Sequence, residues 1–347
     1  MKQKLALDYL ETYNIKVAPL WENYFRVKIK ESKKIGVYAS DLLTRFTKMA
    51  VLGKKVRGAL MVLGYQIAEG RNMTSIYEAS LFIELMHTGL LIHDDIMDNS
   101  DFRRGLPSLH KQYYPSHLGK SMAINAGDIA FYLSWEKLMT SDFPKDKLTL
   151  AGKIYSEYLL KVIYGQILDI SKINVEHESE KVILNMLRYK TAEYTGVFPL
   201  LIGAILGGMK DLEKIDKLKK YGVSLGWAFQ IQDDILGLYG NEEKTGKPVG
   251  SDLKEGKRTL FTYYVLKHGN AKQKEYILSI LGNKKISKDD ITKAQELLKE
   301  VGAYEYVVNL GRSYVKEGKE AIPAITSDKK LQNILRSLIK YIMERTR

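Results

Sequence analysis

The chain has 347 residues, 45% of them hydrophobic and 27% charged, enough apolar surface to bury a core and too much for a disordered or fibrous protein. There are no cysteines, which excludes disulfides, thiolate nucleophiles and cysteine metal sites. Lys and Arg outnumber Asp and Glu by 54 to 41, a formal net charge of +13, but the basic residues are spread over almost every segment, and neither a compact basic face nor a recognisable motif supports nucleic-acid binding.

The opening stretch, MKQKLALDYLETYN, carries acidic residues where a signal peptide would have its apolar core. The longest nearly apolar run, Val197 to Met209, is 13 residues and falls short of the ~18 needed to span a bilayer. The chain therefore reads as a cytoplasmic protein with no stable membrane anchor. Only seven prolines occur, and the stretches between them are rich in Leu, Ala, Lys, Glu and Ile at helical spacing. This predicts an all-α protein, a single domain over 1–347 with about a dozen helices, no interdomain linker and no repeat.

In chain order, LGKKVRGAL comes first, with Lys54, Lys55 and Arg57 beside Gly53, which could let the chain approach an anion closely. Residues 77–97 are apolar around most of the circumference, as expected of a helix surrounded by other helices. At its end Asp94 and Asp98 are four residues apart, so both carboxylates project from one face about one turn apart, while Asp95 points roughly 100° away. Like charges at that spacing on a buried helix need a cation. Hard oxygen ligands with no Cys and no paired His select Mg²⁺, which accepts one or two carboxylates and completes its shell with water and phosphate oxygens. Arg103 and Arg104 follow in DFRRGLPS, and guanidinium forks suit phosphate.

Residues 221–239 form a second buried helix, on which Gln230, Asp233, Asp234 and Gly237 make a polar stripe where periodicity would place core. Two acidic stripes on two buried helices imply one facing site, and the interior of a helical bundle suits carboxylate–metal chemistry. The Gly- and Lys-rich segment 241–259 reads as a mobile lid whose Lys247 and Lys257 could close over a ligand. Ser287 with Asp290 opens a further amphipathic helix. After cap-like Ser327 and Asp328, the apolar stripe Leu331, Ile334, Leu335, Leu338 and Ile342 marks the last helix.

LIHDDIMDNSDFRRG and FQIQDDILGLYG, in that order and about 140 residues apart, resemble the two aspartate-rich motifs of the trans-isoprenyl diphosphate synthases. GKKVR (53–57), ELMH (84–87), INAGD (124–128), GQILD (165–169), YKT (189–191) and KPVGSDLKEGKRT (247–259) also resemble family blocks and occur in family order. The resemblance implies the isoprenoid synthase fold, a helical bundle around a central cavity, and a Mg²⁺-dependent prenyltransferase that joins isopentenyl diphosphate to an allylic diphosphate. By the same resemblance, Asp94 and Asp98 would hold two Mg²⁺ ions and Asp233 a third, with Asp95 and Asp234 in support. Arg103, Lys190, Lys247 and Lys257 would grip the allylic diphosphate, while Lys54, Arg57, His87 and Arg104 would bind that of isopentenyl diphosphate. Thr191 and Gln230 would point oxygens at the developing cation. Gly237 departs from the family pattern, where a third Asp is common, and leaves metal affinity at that end open.

The tail of the growing product should run along the first central helix past Leu90, Gly89, Met86 and Phe82. With no aromatic at 89 or 90, and Phe82 some ~18 Å from Asp94 as a lower stop, the expectation is a twenty-carbon geranylgeranyl product, with farnesyl or twenty-five-carbon and longer products as alternatives. A class I terpene cyclase would want (N/D)DxxSxxxE, where this chain has Gly237 and Asn241. Glu84 and His87 form an ExxH pair, but no second pair completes a ferritin-like di-iron site. A non-catalytic synthase subunit would tend to lose motif residues, and this chain keeps both clusters. Family members are usually homodimers, and 119–164, rich in Tyr, Leu, Ile and Ala, is the expected interface.

Overall fold

The computed structural model describes residues 4–171, 180–241 and 249–346. It is helical throughout except for a two-stranded antiparallel hairpin, Phe102–Arg103 with Leu106–Pro107, which turns through left-handed Arg104 and Gly105. No helix among the described residues is long and apolar enough to cross a membrane. The chain groups into two compact units, Met1–Tyr155 with Pro199–Ile215, and Ser156–Phe198 with Asp216–Arg347.

The first unit holds α1 (Lys4–Lys33), α2 (Val37–Ala50), α3 (Val56–Ile67), α4 (Met73–Met97), α5 (Ser116–Met139), the start of α6 (Lys145–Ile170) and most of α8 (Phe198–Gly207). α4 is the helix expected at 77–97, one turn longer at its start, where the Asn72 side chain accepts the Ser75 N–H at 3.1 Å. Its side chains from Ala79 to Gly89 are buried without interruption, including Phe82, Ile83, Leu85 and Met86. Burying each of these large side chains contributes about 1.5–3 kcal/mol, which is why this helix can carry charge at one end and remain in place. Small residues make its closest neighbour possible. A Cβ on Gly89 of α4 would stand 3.0 Å from the Gly127 carbonyl oxygen of α5, and one on Gly127 would meet the His93 ring, so the two helices cross closely at these glycines.

The second unit holds the rest of α6, α7 (Glu180–Leu187), a π-helical stretch (Arg188–Val197), α9 (Leu212–Tyr239) from residue 216 onward, and α10 (Ser251–Glu255). It continues through α11 (Leu260–His268), α12 (Ala271–Ile280), α13 (Lys288–Glu300), α14 (Ala303–Ile325) and α15 (Lys329–Glu344). α9 extends the expected 221–239 helix backward through an exposed, lysine-rich start. Its core face is anchored by Trp227, stacked on Tyr314 at 5.3 Å, and by Tyr221, whose hydroxyl donates to the Leu335 carbonyl at 2.8 Å. Both expected caps form: Ser287 and Asp290 make a capping box, and the Asp328 carboxylate accepts from the N–H groups of Lys330 and Leu331.

Candidate active site

In the first unit, the carboxylates of Asp94 and Asp98 are partly exposed at the end of α4, whereas Asp95 is fully buried, as one-turn spacing requires. The hairpin that follows brings Arg103 back over them. Its Nε donates to Asp95 Oδ1 at 2.8 Å, and its Nη2 reaches the same oxygen and Asp94 Oδ2 at 3.3 Å. Arg103, expected on a diphosphate, is here the counter-ion of the first motif. Burial pushes the Asp95 carboxyl above its usual range, and the Arg103 guanidinium opposes that shift. Asp95 Oδ2 is buried with no hydrogen bond of normal geometry from a described residue, although the Ser108 hydroxyl lies beside it.

The same unit gathers cations. Arg57 Nη1 lies 3.1 Å from His87 Nε2, and both residues are buried. A guanidinium has only donors, so Nε2 is the acceptor and the imidazole is neutral, with its proton on Nδ1. Burial, and then Arg57, Arg104 and Arg103, hold the His87 imidazole well below the usual histidine range. Arg104, at φ 54°, extends its guanidinium across Gly53 and donates to the carbonyls of Met49 and Leu52 at 3.0 and 2.7 Å. A Cβ at Gly53 would stand 2.8 Å from Arg104 Cζ, so this side chain needs glycine beneath it. Lys54 is half-buried, while Lys55 turns its ammonium back onto the Val51 carbonyl. Glu84 is occupied by the Gly58 N–H at 2.8 Å, and with His87 facing Arg57 the ExxH pair is not a metal pair.

In the second unit, α9 leaves Asp233 exposed and buries Asp234. Gln230 donates from its amide nitrogen to Asp234 Oδ1 at 2.7 Å. Gly237 proves to be occupied space: a Cβ there would lie 2.4 Å from Asp252 Oδ2. The Gly250 N–H donates to the Gly237 carbonyl at 2.8 Å and docks α10 there. A carboxylate is thus present, supplied by Asp252 and not by residue 237. Burial, then Asp252, push the Asp234 carboxyl well above its usual range, and its Oδ2 has no hydrogen-bond partner among the described residues. Lys257 sits 2.7 Å from Glu255 Oε2 and 3.9 Å from Asp252 Oδ1.

Lys190 and Thr191 lie in the π-helical stretch, a widened turn of the kind found at functional sites. Lys190 pairs with Asp169 of α6, and a Cβ at Gly165 would stand 2.3 Å from the Lys190 nitrogen, so the GQILD block seats this stretch. Lys247 lies outside the described residues. Two participants were missed from sequence: Asp252, buried in a Gly/Lys-rich segment, and Arg345, which bonds Asp233. Asp252 shares the KPVGSDLKEGKRT block with Glu255, and no local spacing singles it out.

Of the expected product-length residues, Phe82 and Met86 are fully buried, and Phe82 lies 5.9 Å from Tyr155. Leu90 is half-buried. Gly89 is a crossing point, where a Cβ would meet Ala130 Cβ at 2.9 Å and Phe131 Cε1 at 3.2 Å. An aromatic ring therefore stands beside position 89, contributed by α5, which reading α4 alone could not reveal.

A family model described as polyprenyl synthetase matches residues 40–298. The chain belongs to this family and is a trans-prenyltransferase. A short chain isoprenyl diphosphate synthase of Methanocaldococcus jannaschii is 36% identical over 81% of this chain and 83% of its own length. A geranylgeranyl diphosphate synthase of Saccharolobus solfataricus is 33% identical over 84% of this chain and 86% of its own. Among solved structures, a geranylgeranyl pyrophosphate synthase from Corynebacterium glutamicum, complexed with isoprenyl diphosphate and magnesium, superposes with a TM-score of 0.89 at 28% identity, covering 97% of this chain and 98% of its own.

Two outcomes follow from this prenyltransferase's geometry. Gly237→Ala forces its methyl onto Asp252 and should destabilise the protein by about 1–3 kcal/mol, read as a lowered thermal midpoint. His87 is neutral when folded and protonates when unfolded, so its contribution is intact above about pH 6.5 and is lost below, at up to about 1.4 kcal/mol per pH unit. In urea titrations between pH 7.5 and pH 5.5, His87→Gln should show a shallower acid loss than the parent.

Proposed function

We propose that this protein condenses isopentenyl diphosphate with an allylic diphosphate (dimethylallyl, geranyl or farnesyl) to give a short-chain trans-prenyl diphosphate, geranylgeranyl diphosphate in the first place. The observation that carries the reading lies in the first unit. An acidic face, Asp94 and Asp98, adjoins a cation cluster of Arg57, Arg104 and Arg103 around a neutral imidazole, with Arg103 reaching both. Such a pair suits two anionic substrates, one bound through metal and one without.

The donor set fits Mg²⁺. Its oxygens are hard, and buried carboxylate oxygens of Asp95 and Asp234 lack partners among the described residues. Asp94 and Asp98 would hold two ions and Asp233 a third, with Asp95, Asp234 and Asp252 behind them. When bound, these ions supply positive charge to the departing diphosphate.

The chain's own groups do the rest. Arg57, Arg104, Lys54 and the His87 Nδ1–H bind the diphosphate of isopentenyl diphosphate. Arg103, Lys190 and Lys257 leave their present carboxylate partners and, together with Lys247, hold the allylic diphosphate. The allylic carbon–oxygen bond breaks with its electron pair going to diphosphate. The isopentenyl double bond attacks the allylic carbon, and the proton lost from the adjacent carbon goes to a diphosphate oxygen. Thr191 and Gln230 face the cation with oxygens, and no side-chain nucleophile is required. The whole chain acts as one catalytic domain in this proposal.

The exposed apolar side chains Tyr132 on α5 and Leu160, Tyr164 and Ile167 on α6 support a homodimer, and we place it in the cytoplasm. Light scattering should report about twice the 39.6 kDa chain mass.

The deciding assay is incubation with isopentenyl diphosphate, Mg²⁺ and each allylic primer in turn, with chromatography of the dephosphorylated products. A twenty-carbon product is expected, shifting to longer chains in Phe82→Ala with Met86→Ala. Asp94→Ala and Asp233→Ala should each lower kcat by about 10²–10³-fold, and the double variant should lose little more, as expected of groups acting on one leaving group. No product from any primer would end the reading.

A further inference from the structure

Arg345, just beyond the end of α15, is held at three points on α9. Its carbonyl accepts from Gln232 Nε2 at 2.7 Å, its guanidinium carbon lies 4.1 Å over the Phe229 ring centroid, and its Nη2 donates to the Phe229 carbonyl at 3.4 Å and to Asp233 Oδ1. Residues 229, 232 and 233 share one face of α9, so the last turn of the described chain is fastened along that face. The Arg345 side chain is only 9% exposed, while that of Asp233 is 45% exposed, and Arg345 Nε is buried without an acceptor among the described residues. The guanidinium has therefore given up much of its hydration for one carboxylate oxygen, an aromatic face and a distant carbonyl.

That carboxylate is the one the reading above assigns to the third metal ion, and this inference rests on that reading. A guanidinium and a divalent cation cannot use the same oxygen from the same side. We propose that Arg345 is the built-in counter-ion of Asp233, occupying the metal-binding carboxylate in the metal-free protein and exchanged for Mg²⁺ when diphosphate arrives. The design mirrors Arg103 on Asp94 and Asp95, with one difference: Arg345 is donated by the far end of the chain and is tethered by its own backbone through Gln232. The tether keeps the displaced cation close to the site, so it returns when metal and diphosphate leave. Because metal binds only the fraction of molecules in which the pair is open, Arg345 raises the concentration of Mg²⁺ needed to fill the Asp233 site.

The test uses the full-length protein, inorganic diphosphate as the anion, and the thermal unfolding midpoint as the readout, titrated with MgCl₂ in the absence of any prenyl substrate. Arg345→Ala should reach half-maximal stabilisation at about fivefold lower Mg²⁺ than the parent, and Arg345→Lys, which keeps the charge without the fork, at an intermediate concentration. In an Asp233→Asn background the Arg345 substitution should no longer move the curve. If Asp233→Asn removes part of the Mg²⁺ response but Arg345→Ala leaves the half-maximal concentration unchanged or raises it, the counter-ion role is wrong and the prenyltransferase site stands. If Asp233→Asn leaves the whole response intact, the metal assignment at Asp233 fails and the counter-ion role falls with it.

Discussion

Arg103 donates to Asp95 and Asp94 together, and through this one guanidinium the end of a largely apolar helix can carry three acidic side chains within a turn. The same arrangement recurs wherever the protein concentrates charge. Lys190 lies on Asp169, Lys257 on Glu255 and Arg345 on Asp233. Arg103, Lys190 and Lys257, the described cations expected on an allylic diphosphate, are each held by a carboxylate of the protein. Asp95, fully buried at the end of α4, could not stay there uncompensated, since desolvating a lone ion costs several kcal/mol. The counter-ions thus keep a highly charged site folded, and exchange of partners is then the natural response to a metal–diphosphate ligand.

The cation cluster around His87 is handled differently. Arg57, Arg104 and Arg103 surround His87, and the imidazole responds by staying neutral and accepting from Arg57. A protonated histidine there would add a fourth positive charge to a pocket with little solvent. Remaining neutral, it orients Arg57 and keeps a donor on Nδ1. Glu84, one turn before His87 on α4, has its carboxylate committed to the Gly58 N–H.

Position 237 shows how a local sequence pattern can mislead about chemistry while being right about place. The glycine looks like a lost ligand when the helix is read alone. In three dimensions it is the space into which Asp252 reaches, docked by the backbone bond between Gly250 and Gly237. A carboxylate supplied from a neighbouring helix changes the geometry but preserves the charge beside Asp234, whose carboxyl is pushed up partly by that neighbour. Position 89 has the same logic: the ring missing from α4 is present as Phe131 of α5.

The residue pattern alone gave away the helical class, the two buried helices with their C-terminal ends, the caps at Ser287 and Asp328, and the division of Asp94 and Asp98 from Asp95, but not the exposed start of α9 at Leu212. These follow from 3.6-residue periodicity and from hydrogen bonds that close within three or four residues, so neighbouring letters contain the whole cause. The block order that resembles the isoprenyl diphosphate synthases was equally legible. What only the tertiary structure decided is which charge faces which: Arg103 on its own motif, Asp252 in the space at Gly237, Phe131 beside Gly89, and Arg345 on Asp233. Those contacts join residues separated by up to 112 positions. No local spacing encodes such meetings, because they are set by where entire helices are carried by the burial of their apolar faces.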